Sequence, residues 1–118
     1  MAYAQTYATS AGAALKYGSK ANATAVAGIV TYAEMAEGVI NTITRFNWST
    51  GYASADDYVK GILQDAATNL MAIYVISYDM SGYGRSIAET MIDVLYNGFT
   101  RDIEILKLQA TQDFYAAA

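Results

Sequence analysis

The chain has 118 residues, of which 54% are hydrophobic and only 15% charged, and its formal net charge is −4. That length suits one compact domain. It contains no cysteine, histidine or proline, which excludes disulfides and thiolate metal sites, removes the commonest general base, and disfavours a loop-rich fold. The acidic balance argues against a module held on DNA by phosphate contacts.

Charge is divided unevenly along the chain. Residues 1–30 carry Lys16 and Lys20 and no acid, whereas all eleven acids lie in residues 31–118. The first segment is rich in small residues, as in Ala8-Thr9-Ser10-Ala11-Gly12-Ala13-Ala14. With few large side chains to bury, it cannot easily offset its own ordering entropy. Residues 1–30 therefore read as an extended arm, a weak helix that settles on a neighbour, or a disordered tail. They lack the basic start and long apolar core of a signal peptide.

A first helix is expected from about Thr31 to Phe46. Tyr32, Met35, Ala36, Val39, Ile40, Ile43 and Phe46 recur at helical spacing and predict one buried stripe. Glu34, Glu37, Asn41, Thr44 and Arg45 fall on the other side. Asn47 to Tyr52 reads as a loop. Its Trp48, the only tryptophan, either caps the edge of the core or contacts a partner.

A second helix is expected from Ser54, where Ser54-Ala55-Asp56-Asp57 resembles a capping box. Its end, Leu70 to Tyr78, is apolar on every side and must be enclosed, as a central helix or by other chains. This run is too short to span a membrane. Met80 to Arg85 reads as a turn.

A third helix is expected from Ser86, with Ser86-Ile87-Ala88-Glu89 as a capping box and Asn97-Gly98 as its stop. Ile103 to Leu108 then reads as a short strand or a last helical turn. Residues 109–118 read as a tail with an aromatic anchor at Phe114 and Tyr115. The fold class is mainly α, a small bundle of three to four helices in residues 31–108 with extended N- and C-terminal arms.

No catalytic constellation emerges. Asp56 and Asp57 are explained by stabilising a helix start, and Asp65 and Asp93 read as solvated single acids. Glu34 and Glu37 lack the second cluster that a bundle metal site needs. Neither a cofactor nor a metal is expected. The eleven tyrosines are the most unusual feature, because tyrosine suits interfaces that stay soluble before assembly. The candidate interface residues are Tyr3, Tyr7, Trp48, Tyr52, Tyr83, Arg85, Leu106, Leu108, Phe114 and Tyr115.

Residues 31–108 resemble the small helical head–tail connector, or adaptor, proteins of tailed bacteriophages and related viruses. The resemblance rests on layout. Ala33-Glu34 through Val39-Ile40-Asn41 is followed by Phe46-Asn47-Trp48, the long segment Val59 to Leu70, the helix Ile87 to Leu95, and Ile105-Leu106. The long N-terminal arm and the absence of proline depart from that layout. The resemblance implies a virion neck protein without catalytic residues. It implies a homo-oligomeric ring of twelve copies under the portal protein, docking a tail or stopper protein, with Leu106 to Tyr115 reaching the portal. DNA would pass through without specific binding, and no membrane would be involved. Two alternatives stand beside it: another helical virion subunit of capsid or tail, and a small helical protein-binding module. An enzyme using a carboxylate site ranks last.

Overall fold

The computed structural model describes residues 7–49, 52 and 56–108. Among them the regular structure is all helical. Helix α1 spans Ser10–Tyr17 and a single 3-10 turn spans Gly18–Lys20. Helix α2 spans Ala23–Ala27, α3 Ile29–Thr44, α4 Asp57–Tyr78 and α5 Arg85–Leu106. The expected mainly helical class is found: among the described residues three helices lie between Ile29 and Leu106, roughly as expected, and two more precede them.

Helix α4 is the central element, packed by α1, α2, α3 and α5. The reason lies in its sequence. Leu63, Ala66, Ala67, Met71, Ala72, Val75 and Ile76 are each 0% exposed, so the helix buries more than one face, as its all-round apolar second half predicted. Small residues let its neighbours approach closely. A Cβ on Gly12 of α1 would lie 2.8 Å from Thr68 Cγ2, and a Cβ on Gly98 of α5 would lie 2.8 Å from Asn69 Nδ2. The two flanking helices thus press glycines onto consecutive residues of α4.

The described part of the N-terminal segment departs from the expected arm. Tyr7 and Ala8 are buried, and α1 packs on α4 of its own chain with Ala13 and Tyr17 inside. The Thr9 side chain caps α1 by accepting from Gly12 N at 3.2 Å. The missing large side chains are compensated by close approach at Gly12 and by an ion pair from Lys16 to Asp65 at 2.7 Å.

Helix α3 is rotated from the expected facing. Its buried residues are Ala33, Ala36, Glu37, Ile40 and Thr44, while Met35 and Ile43 are exposed. The polar pair is inward because each has a partner there. Glu37 Oε2 accepts from Tyr7 N at 2.7 Å and Ala8 N at 2.8 Å. Thr44 Oγ1 accepts from Trp48 Nε1 at 2.8 Å. The helix ends at Arg45, whose φ of 56° places it in the left-handed region.

Several expected boundaries move. Helix α4 is capped by Asp56, which accepts from Tyr58 N and Val59 N, and Ser54 lies outside the described residues. Helix α5 begins at Arg85 after Gly84, with no side-chain cap hydrogen bond from Ser86. It also runs straight through Asn97-Gly98 to Leu106, so Ile103 to Leu106 is helix rather than strand. Gly98 serves packing against Asn69 instead of termination.

Candidate interaction surface

The described surface carries two apolar faces. On the first, Met35, Gly38, Val39, Thr42 and Ile43 of α3 line an open groove with Tyr74 of α4. The Tyr32 ring packs against Tyr74 at a tilt of 38°, with centroids 5.4 Å apart. Burial raises the Tyr74 hydroxyl above the usual phenol range. This face exists because Glu37 and Thr44 turn inward, which pushes the large aliphatic side chains of α3 out. The second face lies on α5, where Thr90, Met91, Val94 and Leu95 line a groove with Lys16 of α1. Ile87 and Val94 are 61% and 65% exposed and lie seven residues apart on the same side of the helix. Neither groove has the convergent polar groups that orient a small-molecule ligand.

The sequence-predicted interface residues scatter. Tyr7 and Trp48 are fully buried, Leu106 is buried, and Tyr83 is 8% exposed. These four belong to the chain's own core, which corrects the expectation that they form a surface. Each has an internal reason. The Tyr7 hydroxyl donates to Asn41 Oδ1 at 2.8 Å and its ring lies 5.8 Å from that of Tyr52. Trp48 packs on Phe46 at 4.4 Å besides its bond to Thr44. Tyr83 donates to the Tyr17 carbonyl. Leu106 closes the end of α5.

Tyr52 is half-buried, with Lys60 Nζ 5.3 Å from its ring centroid and Gln64 Nε2 donating to its hydroxyl at 2.8 Å. Arg85 is exposed and pairs with Glu89 at 3.0 Å one turn on, an arrangement worth little in water. Leu108 is 57% exposed. Tyr3, Phe114 and Tyr115 lie outside the described residues. None of the described residues of the expected set lines either groove. Periodicity missed the α3 face because it placed Met35 and Ile43 in the core.

The interior also holds polar chemistry that sequence reading passed over. Asp65 keeps 37% of its side chain exposed but is not the single, unpaired acid expected. It accepts from Lys16 Nζ at 2.7 Å and from Arg101 Nη2 at 3.1 Å, with Asn69 Nδ2 at 3.4 Å. Arg101 in turn reaches Asp102 Oδ1 at 3.1 Å. The Asp102 side chain is only 3% exposed, and its Oδ2 is buried without a hydrogen-bond partner. Burial, followed by the neighbouring Asp65 carboxyl and its charge, pushes the Asp102 carboxyl up to about 7. Burial acts upward on Asp65 too, but the neighbouring Asp102 carboxyl, the hydrogen bond from Lys16 and the charges of Lys16 and Arg101 hold it below the usual carboxylate range.

Among the described residues, no group of three or more His, Cys, Asp or Glu side chains is placed to hold a metal ion. No described helix is long and apolar enough to cross a membrane.

The fold and its surface define a small helical bundle built round one central helix, with two apolar faces outward. No protein-family model, curated protein or solved structure matches the chain.

Proposed function

We propose that this protein is a structural subunit that works as one copy in a homo-oligomeric assembly, and specifically a head–tail connector of a tailed virus. The observation that carries the first part is the rotation of α3. The helix spends its inward positions on Glu37 and Thr44 and leaves Met35 and Ile43 at 47% and 45% exposure. A chain with 15% charged residues has little with which to keep two such faces wet.

Two different faces per copy support a head-to-tail contact, which closes into a ring when the rotation per subunit allows it. The assignment to a virion neck, the ring of twelve, and contact with portal and tail proteins rest on the resemblance of residues 31–108 to connector proteins. An acidic channel lining would let packaged DNA slide, since like charge disfavours phosphate contacts.

Native mass spectrometry and negative-stain microscopy of the purified protein, alone and with a portal protein, test this reading. Closed rings that cap the portal are the expected result. A monomer at all concentrations, indifferent to portal, would overturn it. Filaments or sheets would instead favour a different helical virion subunit, the second reading that two unlike apolar faces also support.

A further inference from the structure

We propose that Asp65 and Asp102 hold one proton between them and act as a clasp that fastens the last turns of α5 to α4, tight at mildly acidic pH and slack at neutral pH and above.

The geometry supplies the parts. Asp102 sits on α5 between Phe99 and Leu106, both buried, so its carboxyl faces the core rather than water. One oxygen is engaged by Arg101, while the other, Oδ2, is buried and has no hydrogen-bond partner. A buried acceptor left unpaired is costly. A proton on this group removes the cost, because a carboxylic acid is a donor, and Arg101 Nη2, 3.1 Å from an oxygen of each carboxyl, brings Asp65 alongside as the acceptor. The arrangement is the one in which two neighbouring carboxyls share a single proton.

The charged groups facing the pair come from three helices. Lys16 reaches in from α1, Asp65 itself is on α4 with Asn69 beside it, and Arg101 comes from α5. Lys16 and Arg101 both pair with Asp65, which explains why Asp65 keeps the charge and Asp102 takes the proton. Glu37 of α3 is turned to the amides of Tyr7 and Ala8.

When the proton leaves, two carboxylates and one unpaired buried oxygen remain at the α4–α5 contact. The segment that yields is the one beyond it, Ile103 to Leu106, whose Ile103 and Leu106 side chains are buried. Below neutrality the clasp is closed. Above about pH 7 its contribution is gone.

Two measurements test this on the whole chain. The first follows the side-chain carboxyl carbons of Asp65 and Asp102 by NMR between pH 3 and 9. Asp102 is expected to titrate near neutrality and Asp65 in the acid range. In Asp65→Asn the Asp102 midpoint is expected to fall by at least one pH unit, because the neighbouring negative charge is gone. An Asp102 midpoint below pH 5 in the unaltered chain, or one unmoved in Asp65→Asn, overturns the shared proton.

The second measures hydrogen exchange at the amides of residues 103–106, corrected for intrinsic rates. Protection is expected to fall by up to about tenfold per pH unit between pH 5 and 7 and then level off, which is the linkage of one proton. Asp102→Asn keeps an acceptor for Arg101 and places a donor against Asp65, so its profile is expected to be flat. A flat profile in the unaltered chain, or an unchanged slope in Asp102→Asn, overturns the clasp.

Discussion

Tyr83 donates its hydroxyl proton to the main-chain carbonyl of Tyr17 at 2.7 Å, across 66 positions of sequence. Tyr17 is the last residue of α1 and leads directly into the 3-10 turn Gly18–Lys20, so the bond falls on the junction of the two. The turn between α4 and α5 thereby secures the C-terminal end of α1. Burial also raises the Tyr83 hydroxyl above the usual phenol range.

Tyr83→Phe removes this buried hydrogen bond between the α4–α5 turn and the end of α1. Urea denaturation is expected to show a loss of about 1–2 kcal/mol, with hydrogen exchange quickening first in the last turn of α1. An unchanged midpoint would mean that water replaces the hydroxyl.

Glycine to alanine changes separate packing from helix propensity. Gly61 has open space where a Cβ would go, so Gly61→Ala is expected to stabilise the chain by about 0.5–1 kcal/mol. Gly12→Ala gains the same propensity but drives a methyl group against Thr9 Oγ1 and Thr68 Cγ2 at 2.7 and 2.8 Å. A net loss of about 1–2 kcal/mol is expected. Thermal denaturation of both variants shows whether close approach is what docks α1.

Glu37→Ala removes the acceptor for the Tyr7 and Ala8 amides. Hydrogen bonds to a charged group are each worth about 1.5–3 kcal/mol. Limited proteolysis is expected to cut before residue 10 at least tenfold faster in the variant, with the circular dichroism of the rest of the chain largely kept. Equal cutting rates would show that ring packing alone holds Tyr7.

Stability against pH follows from two acids shifted in opposite directions. Asp102 stands at about 7 in the fold and near the ordinary value of about 3.9 when unfolded. A raised acid stabilises fully below the unfolded value and loses that contribution as pH rises towards the folded one. Asp65 is lowered, so its contribution is present above the ordinary value and lost as pH falls through the folded value. The two together predict a stability maximum on the acid side of neutrality. A decline on the order of 1–4 kcal/mol is expected from pH 5 to 8, read from urea midpoints. A maximum at pH 8 would contradict the assignment.

If assembly is head to tail, blocking different faces gives complementary parts. Ile43→Asp spoils the α3 groove and Val94→Asp the α5 face. Each is expected to be monomeric alone, while an equimolar mixture forms dimers by size-exclusion chromatography with light scattering. Dimers of either variant alone would show that copies join through one face with twofold symmetry.

The helices were legible where polarity and periodicity agree. The all-round apolar run Leu70 to Tyr78 placed α4 at the centre, because nothing but enclosure can hide it. Asp102 was passed over where helix continuity was misread. Once α5 runs through Gly98, the spacing of Leu95, Phe99, Asp102 and Leu106 puts Asp102 in the buried stripe. Ending the helix at Asn97-Gly98 hid that. Glu37 is a similar case, lying in register with Ala33, Ile40 and Thr44 but assigned outward on its charge alone. A buried acid on an apolar stripe is a visible signal, provided the helix is not cut.

By itself the sequence determined that this chain is mainly helical and that it has few charges for its length, 15% against 54% hydrophobic residues. Composition and a 3.6-residue period suffice for that, since both act within one segment. Only the tertiary structure decided which side of α3 faces in, that residues 7–30 fold onto their own chain, and that two acids far apart in sequence meet at one arginine. Those outcomes depend on contacts between segments, such as an amide meeting a carboxylate or a glycine meeting a threonine, and no single segment's pattern carries its partner's shape.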